Sequence, residues 1–324
     1  MLADDDEQVR RIEAIETLGN ETLSVVPGPI RAHRDTDAAR WIQGQMARFS
    51  DGVEHRQRRF AVEQLLATLP VVPLLNHTRD ETEARLAELA DGWADAAEPE
   101  AGDQAYGQWL DSGTMTLDAM PFFARRRPVM SLLQVLLPDI DDVEPLVDDV
   151  RALVHGVVPG AVATPASNAS AERMLEHLGD GPDGIAAISV VFQTHDATAA
   201  LIGQALVVDE PGCTARDRVN WAVLHGAPVT RTLRYATDAV DPGATPAPTV
   251  VPLDSVGPLP LTFGSGAHAC PGRHLAALLA EAVIGPLVDR RWRPLPNGIV
   301  YEDRPNLSLP ARLPGRLDLE GPPS

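Results

Sequence analysis

The residues with the clearest chemical potential surround one cysteine, in residues 263–276, which read Phe-Gly-Ser-Gly-Ala-His-Ala-Cys-Pro-Gly-Arg-His-Leu-Ala. Cys270 can ligate a metal only as the thiolate, which N–H groups and positive charge stabilise. Phe263 can cover the sulfur, and a helix that begins near 271–272 adds its positive end. Because glycine accepts positive φ, three glycines permit a tight loop around the sulfur: Gly264, Gly266 and Gly272. A single thiolate suits iron held in a flat macrocycle, whereas structural zinc takes four protein ligands.

This segment resembles the haem-binding loop of the cytochrome P450 family, because every fixed position of the pattern Phe-Gly-x-Gly-x-His-x-Cys-x-Gly-x-x-Leu-Ala is filled. The resemblance implies haem b, with Cys270 as the axial ligand of its iron and with Phe263, Gly264 and Gly272 shaping the site. It also implies a mostly α fold with a minor β portion, as one haem-binding domain over residues 1–324. Cys213, in a Glu-Pro-Gly-Cys turn, is expected to be an ordinary free thiol.

Basic residues in two further segments match positions that bind the haem propionates in this family. His55 and Arg59 lie four residues apart, on one face of a predicted helix. Arg234 lies in a stretch similar to the family pattern Pro-Pro-Val-x-x-x-x-Arg, and His268 belongs to the cysteine loop. The resemblance therefore predicts that these four groups lie within hydrogen-bond reach of the propionates and neutralise a buried dianion.

The segment Gln193-Thr-His-Asp-Ala-Thr198 resembles the distal helix of the family, whose usual pattern is Ala/Gly-Gly-x-Asp/Glu-Thr-Thr. Asp196 supplies the acid, but Ala197 replaces the threonine whose hydroxyl organises water for proton delivery. Thr198, a substrate hydroxyl or a water would have to take its place, because proton delivery needs a connected chain of donors. Gln193 and Thr194 are bulkier than the usual small residues, so Gln193 is expected to narrow the distal pocket.

Two other departures from the family concern the proximal core and the chain length. The Glu-x-x-Arg motif is absent, and Trp221 and Leu224 stand at its positions. The chain is several dozen residues shorter than typical members, with losses in the N-terminal sheet, after the distal helix and at 245–262. We therefore expect a truncated form of the fold, whose proximal core another arrangement must stabilise.

The hydrophobic pattern predicts which elements position these residues. The most apolar long segment, 184–208, contains no proline and few charges and predicts a central buried helix. Other helices are predicted at 54–69, 80–95, 128–158 with a break at Pro138, and 272–290. Loops or turns are predicted at 26–29, 96–114, 161–171 and 241–262, and the alternating tail at 299–319 predicts a small sheet.

Composition excludes several classes of protein. The 324 residues carry 46 acids and 27 basic residues, none of them lysine, for a net charge of −19. This balance argues against a nucleic-acid partner, which needs a basic face. No apolar run predicts a membrane span and the N-terminus lacks the pattern of a signal peptide, so we expect a reduced, cytoplasmic protein.

Three functions follow from the resemblance. The first is a haem-thiolate monooxygenase that tailors a small molecule in bacterial specialised metabolism, with a ferredoxin and its reductase as electron donors. The second is a haem-thiolate enzyme of another reaction type, redox-neutral or peroxide-using, which the changes at Ala197 and Gln193 favour. The third is a non-catalytic helper of a partner enzyme such as a glycosyltransferase, which the missing Glu-x-x-Arg favours and the intact Cys270 loop opposes.

Overall fold

The computed structural model describes residues 5–20, 22–26, 30, 32–94, 114–158, 162–236, 248–254 and 261–318. Helices dominate these ranges, which confirms the mostly α class. The α-helices of the described residues are α1 (Asp5–Gly19), α2 (Ala38–Gln45), α3 (Gly52–Thr68), α4 (Val71–Ala94), α5 (Arg127–Leu136), α6 (Glu144–Val157), α7 (Pro165–Leu178), α8 (Pro182–Val207), α9 (Ala215–Trp221) and α10 (Arg273–Asp289).

The minor β portion consists of short antiparallel pairs. The strands are β1 (Leu23–Ser24), β2 (Thr114–Asp118), β3 (Arg231–Ala236), β4 (Thr249–Pro252), β5 (Arg293–Pro294), β6 (Val300–Tyr301), β7 (Pro310–Arg312) and β8 (Pro314–Asp318). Strand β3 lies between β1 and β4, β8 lies between β2 and β5, and β6 pairs with β7. The small sheet predicted for the tail is therefore present.

Helix α8 is the central element of the structure. Of its 26 residues, 20 are buried, and α3, α5, α6, α7, α9 and α10 pack against it. Its first half belongs to a core with α2, α6 and α7, and its second half to a core with α10, β2 and β8. The helix is long and apolar enough to cross a membrane, but 83% of its most apolar window is buried inside the protein. It therefore forms the core of this structure, as the run at 184–208 predicts.

Most of the predicted helices are confirmed, whereas one of the predicted loops is in fact helical. The helices at 54–69 and 272–290 and the two segments on either side of Pro138 are present, and α4 begins earlier than the predicted 80. The predicted loop at 161–171 is wrong, because α7 begins at Pro165. Pro165 takes the first helical position, where its missing N–H costs nothing, and Thr164 and Ser167 form a capping box. The turn at 26–29, the acidic loop at 96–114 and the segment 241–262 lie largely outside the described residues.

Candidate haem-binding site

The cysteine loop is built by two glycines and by backbone hydrogen bonds. Gly264 and Gly266 have φ of 70° and 66°, as expected for a tight turn. The Cys270 N–H donates to the Phe263 carbonyl at 2.8 Å, which closes the loop. The expectation of positive φ at Gly272 is wrong: its φ is −92°, and it is the N-cap of α10. Its contribution lies elsewhere, because its N–H donates to the Cys270 sulfur.

The electrostatic environment of Cys270 favours the neutral thiol over the bare thiolate. Burial raises its pKa above the ordinary value for cysteine, and the Gly272 N–H and the charges of Arg59 and Arg48 only partly oppose this effect. Desolvation disfavours the bare thiolate, whereas a bound metal ion stabilises it. Within the described residues, no group of three or more His, Cys, Asp or Glu side chains could hold a metal ion. Cys270 therefore fits a metal that reaches the site within a macrocycle, and not a protein-only zinc site.

Imidazoles from two elements meet beside the cysteine loop. His55 on α3 stacks on His268, with ring centroids 4.0 Å apart. His268 Nε2 lies 3.2 Å from Asp51 Oδ1. Burial, the neighbouring His268 and the charge of Arg59 lower the pKa of His55 to about 4. Both rings are thus held in place and His55 is neutral, so it is a potential hydrogen-bond donor to an anion.

Arg59 reaches the same loop from α3 but makes a different contact. Its guanidinium donates to the carbonyls of Ala267, at 3.2 Å, and Ala269, and its Nε contacts Glu63 Oε1 at 2.7 Å. His55 and Arg59 share a helix face, as their spacing predicts. In this structure Arg59 clamps the backbone that precedes Cys270.

Arg234 on β3 is buried with no anionic partner among the described residues. Its side chain is 5% exposed, and its Nη1 donates to Thr232 Oγ1 and to the Leu233 carbonyl. Burial lowers its pKa, nearby Asp51 raises it, and Arg48 lowers it again. The Asp51 carboxylate is already occupied by the Ser24 hydroxyl and the Val25 N–H. The region thus holds more positive than negative charge, as a site for an anion does.

The segment of α8 that resembles the distal helix has one accessible stripe, called the distal stripe below, and is otherwise buried. Gln193, Thr194 and Ala197 are partly accessible, whereas Asp196 and Thr198 are buried. Accessible surface in the middle of this otherwise buried helix shows that a water-sized space adjoins the three residues, and this space is called the hollow below. Ala197 borders this hollow, while Thr198 is rotated by about 100° away from it. Thr194 is the hydroxyl on the stripe, and it donates to the Val190 carbonyl at 2.8 Å.

Arg48 enters the same hollow, and no sequence motif predicted it. Its Nη1 donates to Gln193 Oε1 at 3.3 Å. Its side chain has exposed surface, yet burial is the largest influence on its pKa, which lies below the ordinary arginine value; the charges of Cys270 and Asp196 oppose that effect. Through its contact with Gln193, the guanidinium of Arg48 lies against the accessible stripe of the central helix.

Asp196 is the centre of a buried ionic network that the sequence did not reveal. Its carboxylate contacts His195 Nδ1 at 2.8 Å, Arg125 at 3.6 Å and Arg304 at 3.5 Å. Glu302 bridges both arginines from the other side, with Arg304 Nε at 2.8 Å. Burial raises the pKa of Asp196, but the His195 hydrogen bond and the two arginines outweigh it and leave the pKa below the ordinary value. Asp196 is therefore held as a carboxylate.

The residues at the missing Glu-x-x-Arg positions make no ion pair in the described part of the chain. Trp221 is 39% exposed and packs against the His225 ring at a centroid distance of 5.8 Å. One turn earlier, Arg218 is buried and donates to the Val208 carbonyl at the end of α8. Arg218 thus ties α9 to the central helix, which identifies one contact that stabilises this region without the motif.

The described residues fit a haem in three respects. A partly buried, desolvated thiol just before α10 offers an axial ligand, and His55, His268 and Arg234 supply donors and positive charge near Asp51 that suit an anionic group. The stripe on α8 and the guanidinium of Arg48 border a hollow. A haem would stabilise a Cys270 thiolate and offset the unpaired charge of Arg234.

Solved structures that resemble this chain are cytochrome P450s. P450BioI, in complex with an acyl carrier protein ligated to hexadec-9Z-enoic acid, matches with a TM-score of 0.70 and 15% identity over 94% of this chain and 90% of its own. CalO2 matches with a TM-score of 0.70 and 16% identity over 96% and 90%. CxnD, an enzyme for C–S bond formation in chuangxinmycin biosynthesis, matches with a TM-score of 0.64 and 17% identity over 93% and 85%. No family model and no curated protein sequence matches the chain.

The chain therefore has the cytochrome P450 fold. In this chain α8 is the central helix, and α10 directly follows the cysteine loop.

Proposed function

We propose that this chain is a haem-thiolate oxidoreductase that tailors a small molecule in bacterial specialised metabolism. The observation that carries the proposal is the Cys270 loop with its desolvated thiol, on a P450 fold and beside the buried positive charge of Arg234. CxnD, which shares the fold, is an enzyme of chuangxinmycin biosynthesis. The proposal includes a single haem-binding domain over residues 1–324 and a cytoplasmic location.

The proposed cofactor is haem b. In this proposal Cys270 ligates the iron, and His55, Arg234 and His268 hydrogen-bond the propionates. Arg59 contributes by holding the loop that carries Cys270, since it donates to two loop carbonyls. The remaining loop residues that shape the site are Phe263, Gly264 and Gly272. The bound haem supplies one-electron and oxygen chemistry, and the protein positions and tunes it.

The distal residues determine which reaction the haem performs. Asp196 is held as a carboxylate by its arginine partners and cannot swing freely into the hollow. Ala197 offers no hydroxyl, and Thr198 is buried on another face. Proton delivery in a monooxygenase therefore requires the Thr194 hydroxyl, a substrate hydroxyl or a water on the stripe. The Gln193 side chain lies on the same stripe, and its Oε1 accepts a hydrogen bond from Arg48.

A second candidate is a haem-thiolate enzyme that does not insert oxygen. The observation that favours it is the combination of Ala197 with the Gln193–Arg48 pair on the distal stripe. The C–S bond formation described for CxnD is an outcome of this kind on the same fold.

The partners of the chain depend on which candidate holds. A monooxygenase needs a ferredoxin and its reductase as electron donors. P450BioI is described with an acyl carrier protein, so a carrier-bound small molecule is one form of substrate to test. A biosynthetic partner enzyme belongs to the helper alternative, which predicts a folded protein without functional haem.

The test of the proposed function is the absorption spectrum of purified protein expressed with a haem supply. We expect bound haem and, after dithionite and CO, the long-wavelength Soret band of thiolate-ligated iron. Cys270→Ala should lose that band, whereas Cys213→Ala, which changes a free cysteine outside the site, should keep it. A protein without haem supports the helper alternative. An unchanged CO spectrum in Cys270→Ala rejects the ligand assignment.

A second experiment separates the two enzymatic candidates. With a surrogate ferredoxin and reductase, NADPH consumption, peroxide release and product are measured for the parent and for Ala197→Thr. If the substrate provides the missing hydroxyl, Ala197→Thr should not raise productive turnover. If no oxygen is inserted, Ala197→Thr should introduce oxygen-dependent NADPH consumption without more product. A large gain in coupled product would contradict both accounts.

A further inference from the structure

Arg48 has the surroundings of a residue that binds an anion in the substrate pocket. It lies in the short helix Ala47–Phe49, directly before α3, and its guanidinium reaches the accessible stripe of α8. Gln193 Oε1 accepts one of its N–H groups at 3.3 Å. The charges of Cys270 and of Asp196 both act on it, so it lies within range of the proximal loop and of the distal helix.

No carboxylate forms an ion pair with Arg48 within the described ranges. The acid of the distal helix, Asp196, is already engaged by His195, Arg125 and Arg304. The guanidinium of Arg48 therefore lies at the distal stripe with accessible surface and without a carboxylate partner, so it is available to pair with an anionic ligand there.

The pair of Arg48 and Gln193 offers the right donors for a carboxylate. Arg48 uses one N–H on Gln193, which leaves others in a planar fork that matches a carboxylate. The amide oxygen of Gln193 accepts from Arg48, and its NH2 group has no hydrogen-bond partner among the described residues, so it can donate to the same anion. Arg48 contacts α8, whereas the propionate candidates His55 and His268 contact each other beside the cysteine loop. The charge of Arg48 also reaches the propionate candidate Arg234, so the haem titration below must separate the two roles.

We infer that Arg48, supported by Gln193, binds the carboxylate of an organic acid substrate over the distal stripe Gln193–Thr194–Ala197. This inference rests on the proposed function and adds to it the chemical class of the substrate. It assigns Gln193 to substrate binding, so the large side chain at this position of α8 contributes to the choice of substrate.

The experiment uses haem-loaded protein and pairs of ligands that differ only in charge: hexanoate and hexanamide, decanoate and decanamide, benzoate and benzamide. Binding is followed by the shift of the Soret band and by calorimetry, at constant ionic strength. We expect at least one acid to bind about tenfold or more tightly than its amide. Arg48→Gln should abolish that preference, and Arg48→Lys should keep part of it. Arg316→Gln removes an exposed positive charge on β8 and should change nothing.

A second arm asks whether the carboxylate that Arg48 binds belongs to the haem. Haem affinity is measured by titration of haem-free Arg48→Gln and Arg234→Gln. We expect Arg234→Gln to weaken haem binding and Arg48→Gln to leave it near the parent value. Equal losses in both variants would assign Arg48 to a propionate and overturn the inference.

Other outcomes are equally decisive. The inference is wrong if no acid binds more tightly than its amide, or if the preference survives in Arg48→Gln. Those results leave the proposed function intact as long as the CO spectrum shows a thiolate-ligated haem. A parent protein without that haem would refute the proposed function, and this inference with it.

Discussion

At the level of single residues, the site combines groups whose ordinary protonation is altered by their neighbours. His55 is buried against His268 and near Arg59, and its pKa falls to about 4. Asp196 shows the opposite case, since burial alone would raise its pKa but two arginines and His195 keep it ionised. Both groups therefore have a defined charge at neutral pH, which suits a site that must hold a charged cofactor in one orientation.

The lowered pKa of His55 predicts a pH dependence of stability. Above pH 6.5 the imidazole is neutral in both states. As the pH falls below 6.5 the unfolded chain takes up a proton that the folded chain binds only near pH 4, so stability falls. We expect this histidine to remove about 1 kcal/mol from the free energy of unfolding between pH 7.5 and 5.5. Urea unfolding of haem-free parent and His55→Gln at both values measures it.

The window between pH 7.5 and 5.5 lies above the isoelectric point of about 4.8, where the net charge vanishes. Other groups with lowered pKa, such as His155, act in parent and variant alike, so the difference between the two isolates His55. Identical pH dependence in parent and variant would contradict the assignment. Bound haem should reduce the effect, because propionates favour the protonated imidazole.

Arg234 and Arg231 on β3 form a matched pair for testing the propionate site. Arg234 is buried without an anionic partner in the described ranges, whereas Arg231 is exposed on the same strand. Arg234→Gln should weaken haem binding roughly thirtyfold, about 2 kcal/mol, because it removes a charge-assisted hydrogen bond to a buried carboxylate. Haem titration followed at the Soret band measures it. If Arg231→Gln loses as much affinity, the effect is one of general charge and the site assignment fails.

At the level of elements, helix–helix contacts position the distal stripe. Helix α7 ends at Leu178, Gly179 turns the chain with φ of 92°, and α8 begins at Pro182. Gly184 lies so close to the end of α7 that a Cβ would be 2.3 Å from the Gly179 carbonyl oxygen. The absence of a side chain at 184 therefore sets how closely α7 approaches α8.

Gly184→Ala should destabilise the protein by about 1–3 kcal/mol, because the clash is with backbone and the helices must separate. Urea unfolding gives the change. The control is Gly19→Ala, where a Cβ would meet nothing within 4 Å. An unchanged free energy of unfolding in Gly184→Ala would show that α7 and α8 can move apart without loss of stability.

At the level of the whole molecule, the network around Asp196 joins segments that are far apart in sequence. Arg125 precedes α5, Asp196 lies in α8, and Glu302 and Arg304 follow β6. Two acids and two arginines balance in charge, and none of the four side chains is more than 24% exposed. The network therefore fixes the orientation of the distal helix relative to the C-terminal hairpin.

Glu302→Gln should destabilise the fold by about 2–4 kcal/mol, because it leaves the charges of Arg125 and Arg304 with a single carboxylate in a buried place. The control, Glu144→Gln, removes an exposed partner of Arg126 and should cost less than about 1 kcal/mol. Denaturant midpoints of the two variants provide the comparison. Equal, small losses of stability in the two variants would show that water screens the charges of the Asp196 network.

Features that depend on neighbouring residues could be predicted from the amino-acid sequence. The glycine spacing around Cys270 predicts the tight loop, and positive φ at Gly264 and Gly266 confirms it. The most apolar long segment, which lacks proline, predicts α8 and its burial. Signals of this kind act within a few residues, so they are independent of the rest of the chain. Helix α7 also carries a local signal, the proline at the first helical position after Thr164, which the loop prediction at 161–171 did not use.

Which charges meet depends on the packing of the folded chain. Arg48 and Gln193 are 145 residues apart, and nothing near Arg48 in the sequence marks it as part of the distal site. The partners of Asp196 come from segments before α5 and after β6, and no periodicity predicts such a pairing. Ion pairs across a core depend on how helices and hairpins pack, and packing integrates contacts over the whole chain. For that reason the cysteine loop could be predicted from its own residues. The contacts of Arg48 and Asp196 at the stripe of α8 could not.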